Sequence, residues 1–502
     1  MFREGENCWR IARADRVALI VDGADYFAVL RRVMIAARRE LLMIGWDFDF
    51  EIEMLPGESD EDGLAPDGYP NMLGPFIEAV VERAPELDLY MLKWNGAILV
   101  APGRVLPTVR VYAFAPERIH FALDGHHPFG ACHHQKIVVA DDCFAFCGGI
   151  DVTEDRWDTS DHAPGDPRRV RKDGSPSEPW HDATMALSGP AAAALGVVSR
   201  QRWHRATGDE LEQPDGLDRL DWPEGLPVAA RDVRVAIART EPPYDGQELV
   251  NEIEQLFLDG IELARRWIYI ESQYFAAETV CAAIERRLLE PGGPEVVVIN
   301  PRAALSQLED RAMHVLRGRM IERLERADRE RRFRIYHPVN AAGEPVYVHA
   351  KIFIADDRLL RIGSSNVDDR SLGFDTECDV AFEDGEEARD AISAFRARLL
   401  GEHLGAEPGL VARVLAETGS IIVAIDRLNR RQGRGLRRIV RLQEGVIGAF
   451  LADTRIFDPR YLRGQPSAAG RGLRPRHLVL VGAAIGLGLL AWTAVRRRGR
   501  DR

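Results

Sequence analysis

His134-Gln135-Lys136 is followed by Asp141 and then by Gly148-Gly149, and His349-Ala350-Lys351 is followed by Asp356 and then by Gly363-Ser364. Both stretches read H-x-K-x4-D-x6-G-[GS]. Only four of the 66 basic residues in this 502-residue chain are lysines, and two of those four stand in this frame. Lys carries a compact charge on a flexible stem, whereas Arg presents a planar fork. A site that grips a non-bridging phosphate oxygen beside a reacting imidazole requires the compact charge. The competing reading is a buried strand behind a capping His, because 136–140 and 351–355 are short apolar runs ended by an Asp-Asp turn. One frame leaves the two readings level. Two frames with the same glycine offset favour a site.

Two halves packed face to face would bring His134, Lys136, His349 and Lys351 into one positively charged pocket suited to a phosphodiester. Two imidazoles suit a two-step displacement, in which one attacks phosphorus and the other protonates the leaving alcohol and then activates the incoming one. The lysines would stabilise the equatorial oxygens as charge develops. No carboxylate cluster for Mg²⁺ or Ca²⁺ accompanies the frames, so no metal and no cofactor is expected. Cys132, His133, His134, Cys143 and Cys147 could be drawn as a zinc cluster. Yet Cys143, Ala145 and Cys147 alternate along an apparent strand, where free Cys behaves as a small apolar residue.

The elements that must position these residues recur in the same order. Gly23 to Arg39 has helical spacing, and Leu41 to Asp47 reads as a buried strand. Glu248 to Arg266 and then Trp267 to Ile270 repeat that plan. Further strands are expected at Asp88–Leu92 and Glu295–Ile299, and each half ends on its His-Lys frame. The fold class is therefore α/β, with two similar sandwich halves related by a pseudo-two-fold and sharing one active site. Breakers over 163–179 and 207–227 interrupt the periodicity, and the second stretch marks the boundary. Residues 1–210 and 211–410 are expected as the two halves, 411–470 as a helical extension and linker, and 471–502 as a C-terminal hydrophobic helix.

Composition is that of a globular protein, 46% hydrophobic and 29% charged. Six cysteines without C-x2-C pairs suit a reducing compartment. The net charge is −13, and eight Arg against one Asp in 471–502 leave the rest of the chain at −20. Such an acidic body is a poor match to nucleic acid, so no nucleic-acid partner is expected. Leu478 to Val495 carries no charge and as a helix would span roughly 27 Å, against a hydrocarbon core of about 30 Å. Arginines flank it on both sides. The expectation is a membrane-associated protein with one C-terminal span and a cytoplasmic catalytic body.

The duplicated frame, with the segments around it, resembles the phospholipase D superfamily over roughly residues 15–405. Gly149-Ile150-Asp151, Arg156-Trp157-Asp158-Thr159, Pro179-Trp180-His181-Asp182 and Ser188-Gly189-Pro190-Ala191 are similar to the segments after the first frame in phospholipases D. Ile270-Glu271-Ser272-Gln273-Tyr274-Phe275 resembles their I-E-N-Q-Y-F segment, with Ser272 where Asn is usual. Gly363-Ser364-Ser365-Asn366 and Asp368-Asp369-Arg370-Ser371 resemble the stretch after the second frame. The resemblance implies His134 and His349 as the catalytic pair with Lys136 and Lys351, and Asp141 and Asp356 as motif acids more structural than chemical. It implies Asn366, Ser364 and Asp151 as phosphate-binding positions, Asp151 standing where the first half usually has Asn. Asp182 and Glu377 match acids that orient the two imidazoles, an ordinary surface acid being the competing reading for each. The activity implied is a phospholipase D that passes a phosphatidyl group to water or another alcohol, with phospholipid and membrane as partners. A cardiolipin synthase-like transferase is the alternative, and a phosphodiesterase or nuclease of the same superfamily a more distant one. Head-group preference, the order of the histidines and the oligomeric state are not legible.

Overall fold

A computed structural model of the chain describes residues 1–97, 116–214, 220–303, 307–383, 385–439 and 458–460. In chain order the strands are β1 (Arg10–Val21), β2 (Glu40–Gly45), β3 (Asp88–Trp94), β4 (Ile119–Asp124), β5 (Ile137–Ala140), β6 (Phe144–Gly148), β7 (Trp180–His181) and β8 (Ala183–Ser188). They continue with β9 (Ala230–Glu241), β10 (Val250–Asn251), β11 (Trp267–Glu271), β12 (Glu295–Ile299), β13 (Phe333–Val339), β14 (Tyr347–Val348), β15 (Ile352–Ala355), β16 (Leu359–Gly363), β17 (Glu377–Glu383) and β18 (Gly435–Arg438). All but β7 and β14 belong to one mixed sheet in the order β18-β13-β12-β11-β15-β16-β17-β9-β1-β8-β6-β5-β2-β3-β4, with β10 attached to β9.

Outward from the β9–β1 junction, both directions give four antiparallel pairings and then two parallel ones. The sheet is folded on itself, with β6 and β8 packed against β16 and β17. Cys147 Sγ on β6 reaches Cys378 O on β17 at 3.4 Å across that contact. One core fills the space between the two limbs. Two others lie outside, one under the helices Gly23–Ala36 and Leu73–Arg83, the other under Glu252–Leu263 and Glu278–Leu289. Strands β5, β6, β15 and β16 are therefore buried on both faces, which is why they read as unbroken apolar runs.

The Asp-Asp pairs close the β5–β6 and β15–β16 hairpins. Asp141 and Asp142 have φ of 50° and 51°, and Asp356 and Asp357 both 53°. Two consecutive left-handed residues make the tight turn whose twist matches the flanking strands, and Asp tolerates that region better than most residues. Asp141 also accepts from the backbone N–H groups of Arg38, Arg39 and Glu40, each at 2.8 Å. Asp356 does the same for Arg265, Arg266 and Trp267.

Several expectations are corrected. Cys143 lies in the turn before β6 and is part-exposed, so it does not share the buried face of Ala145 and Cys147. Within the extension expected at 411–470, the described residues up to 439 form two short helices, Pro408–Thr418 and Ile421–Leu428, followed by β18. Among the described residues no helix is long and apolar enough to cross a membrane. Long ones such as Pro190–Thr207 and Glu386–Leu404 carry several ionisable side chains and pack against the sheet. This overturns the single-span membrane localisation and the cytoplasmic placement of the body that went with it. The stretch Leu478–Val495 itself lies outside the described residues.

Candidate active site

His134 and Lys136 stand just before β5, His349 and Lys351 just before β15, and the folded sheet brings these strand ends together. Two short cross-links hold them. Strand β14, directly before His349, pairs in parallel with β7, so His349 N donates to His181 O at 2.8 Å. His133 bridges Thr376 in parallel, so His134 N donates to Thr376 O at 2.9 Å. Each frame is thereby zipped to the segment carrying the other frame's acid.

The acids are exchanged. His134 Nδ1 lies 2.9 Å from Glu377 Oε2, and His349 Nδ1 lies 2.7 Å from Asp182 Oδ2. Both carboxylates are wholly buried, while His134 keeps 15% of its side chain exposed and His349 keeps 6%. A ring whose Nδ1–H is given to a carboxylate offers its Nε2 lone pair to the pocket. Lys136 Nζ donates to the carbonyl of its own frame's His134 at 2.9 Å, and Lys351 Nζ donates likewise to His349 O.

The electrostatics follow from burial. Desolvation, reinforced by the lysine charges, holds both imidazoles well below the usual His range. Burial pushes Glu377 well up and raises Asp182. It also pulls Lys351 down to about 7, Asp182 opposing and Lys136 adding to the shift. Each lysine thus acts on both imidazoles, as charges close by do. A cleft of about 890 Å³ lies beside it, walled by Trp180 and Tyr347, whose rings stack at 4.7 Å, and by Arg156, whose guanidinium covers Trp180 at 4.1 Å. Trp180 also lies 5.1 Å from the His349 ring.

A family model described as "Cardiolipin synthase, PLD-like domain" matches residues 257–399. Phospholipase D alpha 1 of Carica papaya is 25% identical over 54% of this chain and 49% of its own length. Cardiolipin synthase A of Pseudomonas putida is 29% identical over 54% of this chain and 47% of its own. The family model and these relatives support the phospholipase D superfamily. The chain spans about half the length of these curated relatives. In fold it is similar to a phosphatidylserine synthase from Haemophilus influenzae Rd KW20, with a TM-score of 0.56 at 13% identity, covering 84% of this chain and 97% of that one.

The other predicted residues divide. Asn366 is buried, and its Oδ1 has no partner among the described residues. Ser364 is otherwise engaged: its hydroxyl donates to Glu377 Oε2 at 2.5 Å and accepts from Cys378 N at 3.0 Å. Asp151 pairs with Lys136 Nζ at 3.2 Å and accepts from Trp46 N at 3.1 Å. Asp141 and Asp356 are not in the pocket. A four-residue strand, about 13 Å of chain, separates each from its Lys. Gly149 has a steric reason: a Cβ there would sit 2.2 Å from Asp182 Oδ1.

Among the described residues no metal-sized group of donor atoms includes a cysteine; His133 faces Asp124 at 3.4 Å and His134 faces Glu377. Two other groups bring donor atoms together, Asp22-His162-His181-Glu402 and His181-Glu271-His403. A zinc-sized ion with bonds of about 2.0–2.1 Å would hold its donors about 3.3 Å apart. His181 Nδ1 and Glu402 Oε1 are only 2.7 Å apart, an ion-pair distance with no room for a metal between them. Sequence reasoning missed these residues as a set. His181 and Glu271 stand in segments that resemble phospholipases D but carry no assigned role there, and nothing in the sequence links them to Asp22 or to Glu402, far along the chain.

Proposed function

We propose that this chain is a phospholipase D: it transfers the phosphatidyl group of a glycerophospholipid, through a phosphohistidine, to water or to another alcohol. The observation that carries this reading is the exchanged pairing of His134 with Glu377 and of His349 with Asp182 around two lysines. One imidazole Nε2 attacks phosphorus, and the P–O bond to the head-group alcohol breaks. The second imidazole gives its proton to the departing oxygen, leaving the phosphatidyl group on the first. That second imidazole then takes a proton from water as the oxygen attacks phosphorus, which frees the first imidazole and yields phosphatidic acid. Lys136, Lys351 and Asn366 hold the non-bridging oxygens. The anionic phosphodiester offsets the lysine charges that depress both imidazoles, so its arrival favours the protonated second His. We also read residues 1–210 and 211–410 as halves related by a pseudo-two-fold, a reading supported by the matched order of strand pairings about β9–β1.

The test is purified protein incubated with phosphatidylcholine, phosphatidylethanolamine or phosphatidylglycerol, with and without ethanol. Phosphatidic acid is expected, partly replaced by phosphatidylethanol when ethanol is present. Neither product from any lipid would overturn the reading. Cardiolipin formed from phosphatidylglycerol alone would favour the transferase, which the 29% identity to a cardiolipin synthase keeps in view.

A pH prediction follows from Lys351, whose ammonium is pulled down to about 7 in the free pocket. The charged form is lost as pH rises, so kcat/KM on a soluble short-chain substrate should fall through neutrality. Bound phosphate retains the proton, so the matching limb in kcat should lie at higher pH. Coincident limbs for the two parameters would exclude Lys351 as their source.

A further inference from the structure

Asp182, the partner of His349, directly follows His181, and the His181 side chain is wholly buried. Its Nε2 lies 2.6 Å from Glu271 Oε2 at the end of β11. Its Nδ1 lies 2.7 Å from Glu402 Oε1 on the helix Glu386–Leu404 and 3.3 Å from Asp22 Oδ1 at the end of β1. Ionised carboxylates only accept. An imidazole facing carboxylates through both nitrogens is held there only with both protons on. Nδ1 makes no well-directed hydrogen bond, so its tie to the two acids is one of charge.

The surroundings fit that state. His162 Nδ1 lies 2.8 Å from Asp158 Oδ2, and its Nε2 lies 3.2 Å from the same Glu402 oxygen. Arg169 covers the other Asp158 oxygen at 2.8 Å. Glu271 is shared with His403 Nε2 at 2.9 Å and with the Tyr269 hydroxyl. Burial opposes the charge of Glu271, but His181 and His403 outweigh it and hold the carboxyl at about 2. Burial raises the Asp22 carboxyl, with Glu402 adding to the shift, whereas His181 and His162 outweigh burial and hold Glu402 well below the usual carboxylate range, so a missing partner there would leave an uncompensated charge.

We infer that His181 is a permanently charged positioning residue: as an imidazolium it pins β1, β11 and the helix Glu386–Leu404 at one point and so fixes Asp182 against His349. This rests on the reading of His349 as a reacting group. Asp22 completes the clamp on the backbone, since Asp22 N donates to Asp182 O at 2.8 Å and Asp182 N donates to Asp22 Oδ1 at 3.2 Å. A shift of the Asp182 carboxylate would turn the His349 ring away from its line of proton transfer.

The experiment combines nitrogen-15 NMR of the histidine rings with kinetics of His181→Gln and Glu402→Gln. In the wild type, His181 should show two protonated nitrogens from mildly acidic to mildly alkaline pH. In His181→Gln the Nδ1 proton resonance of His349 should move or vanish, and kcat should fall about tenfold to a hundredfold with KM unchanged, as for a misplaced reacting group. Glu402→Gln keeps the shape of the side chain and carries the kinetic test if His181→Gln does not fold; a smaller drop in kcat, again at constant KM, is expected. A singly protonated His181 overturns the inference, as does one stoichiometric metal ion found by elemental analysis. So does a variant that is less stable but has normal kcat per folded molecule and an unmoved His349 resonance. A wild type inactive on every phosphodiester would sink the proposed function instead, while the ring NMR would still decide the state of His181.

Discussion

Replacing either His134 or His349 by Ala is expected to lower turnover by at least about 10³-fold, because the two rings perform different steps and neither can serve for the other. Each ring is fixed by its own acid, His134 by Glu377 and His349 by Asp182, so the loss of one leaves the other in place. The two variants should differ in what accumulates. The one that retains the attacking imidazole should build up a phosphoenzyme visible after rapid quenching, and the other should not. That contrast assigns the order of the histidines. Near-normal turnover in either single variant would refute a shared pocket.

Asp141→Ala should cost stability rather than chemistry. Its carboxylate accepts three backbone N–H groups at 2.8 Å and is itself buried. Hydrogen bonds to a charged acceptor contribute about 1.5–3 kcal/mol each, and context reduces their sum, so a loss of about 3–5 kcal/mol is expected in denaturant unfolding. Asp356→Ala should cost less, since the matching donors around Arg265 and Arg266 lie at the surface, where water can replace the lost partner. Turnover per folded molecule should stay near normal in both. A variant with wild-type stability and lost turnover would show that these acids reach the chemistry after all.

Much of this was written in the sequence. Spacing along one chain decides local structure, so four-residue apolar runs ended by Asp-Asp gave β5 and β15 with their turns, and β12 has the expected bounds of Glu295 and Ile299. The duplicated frame fixed which His and Lys belong together, because Lys136 and Lys351 each bind the carbonyl of the His two residues earlier. Contacts between distant segments were another matter. That the acids are exchanged depends on a sheet folded so that β6 meets β17, which no local pattern encodes. Ser364 and Asp151 are phosphate ligands only by resemblance; the neighbours that their side chains hold, Glu377 and Lys136, come from the tertiary structure. The same is true of His181. A histidine in sequence has no charge state until folding surrounds it with Asp22, Glu271 and Glu402, drawn from segments about 380 residues apart at the extremes. Periodicity is a property of neighbours in the chain and can be read from it, whereas burial and electrostatic partnership belong to neighbours in space and come only from the tertiary structure.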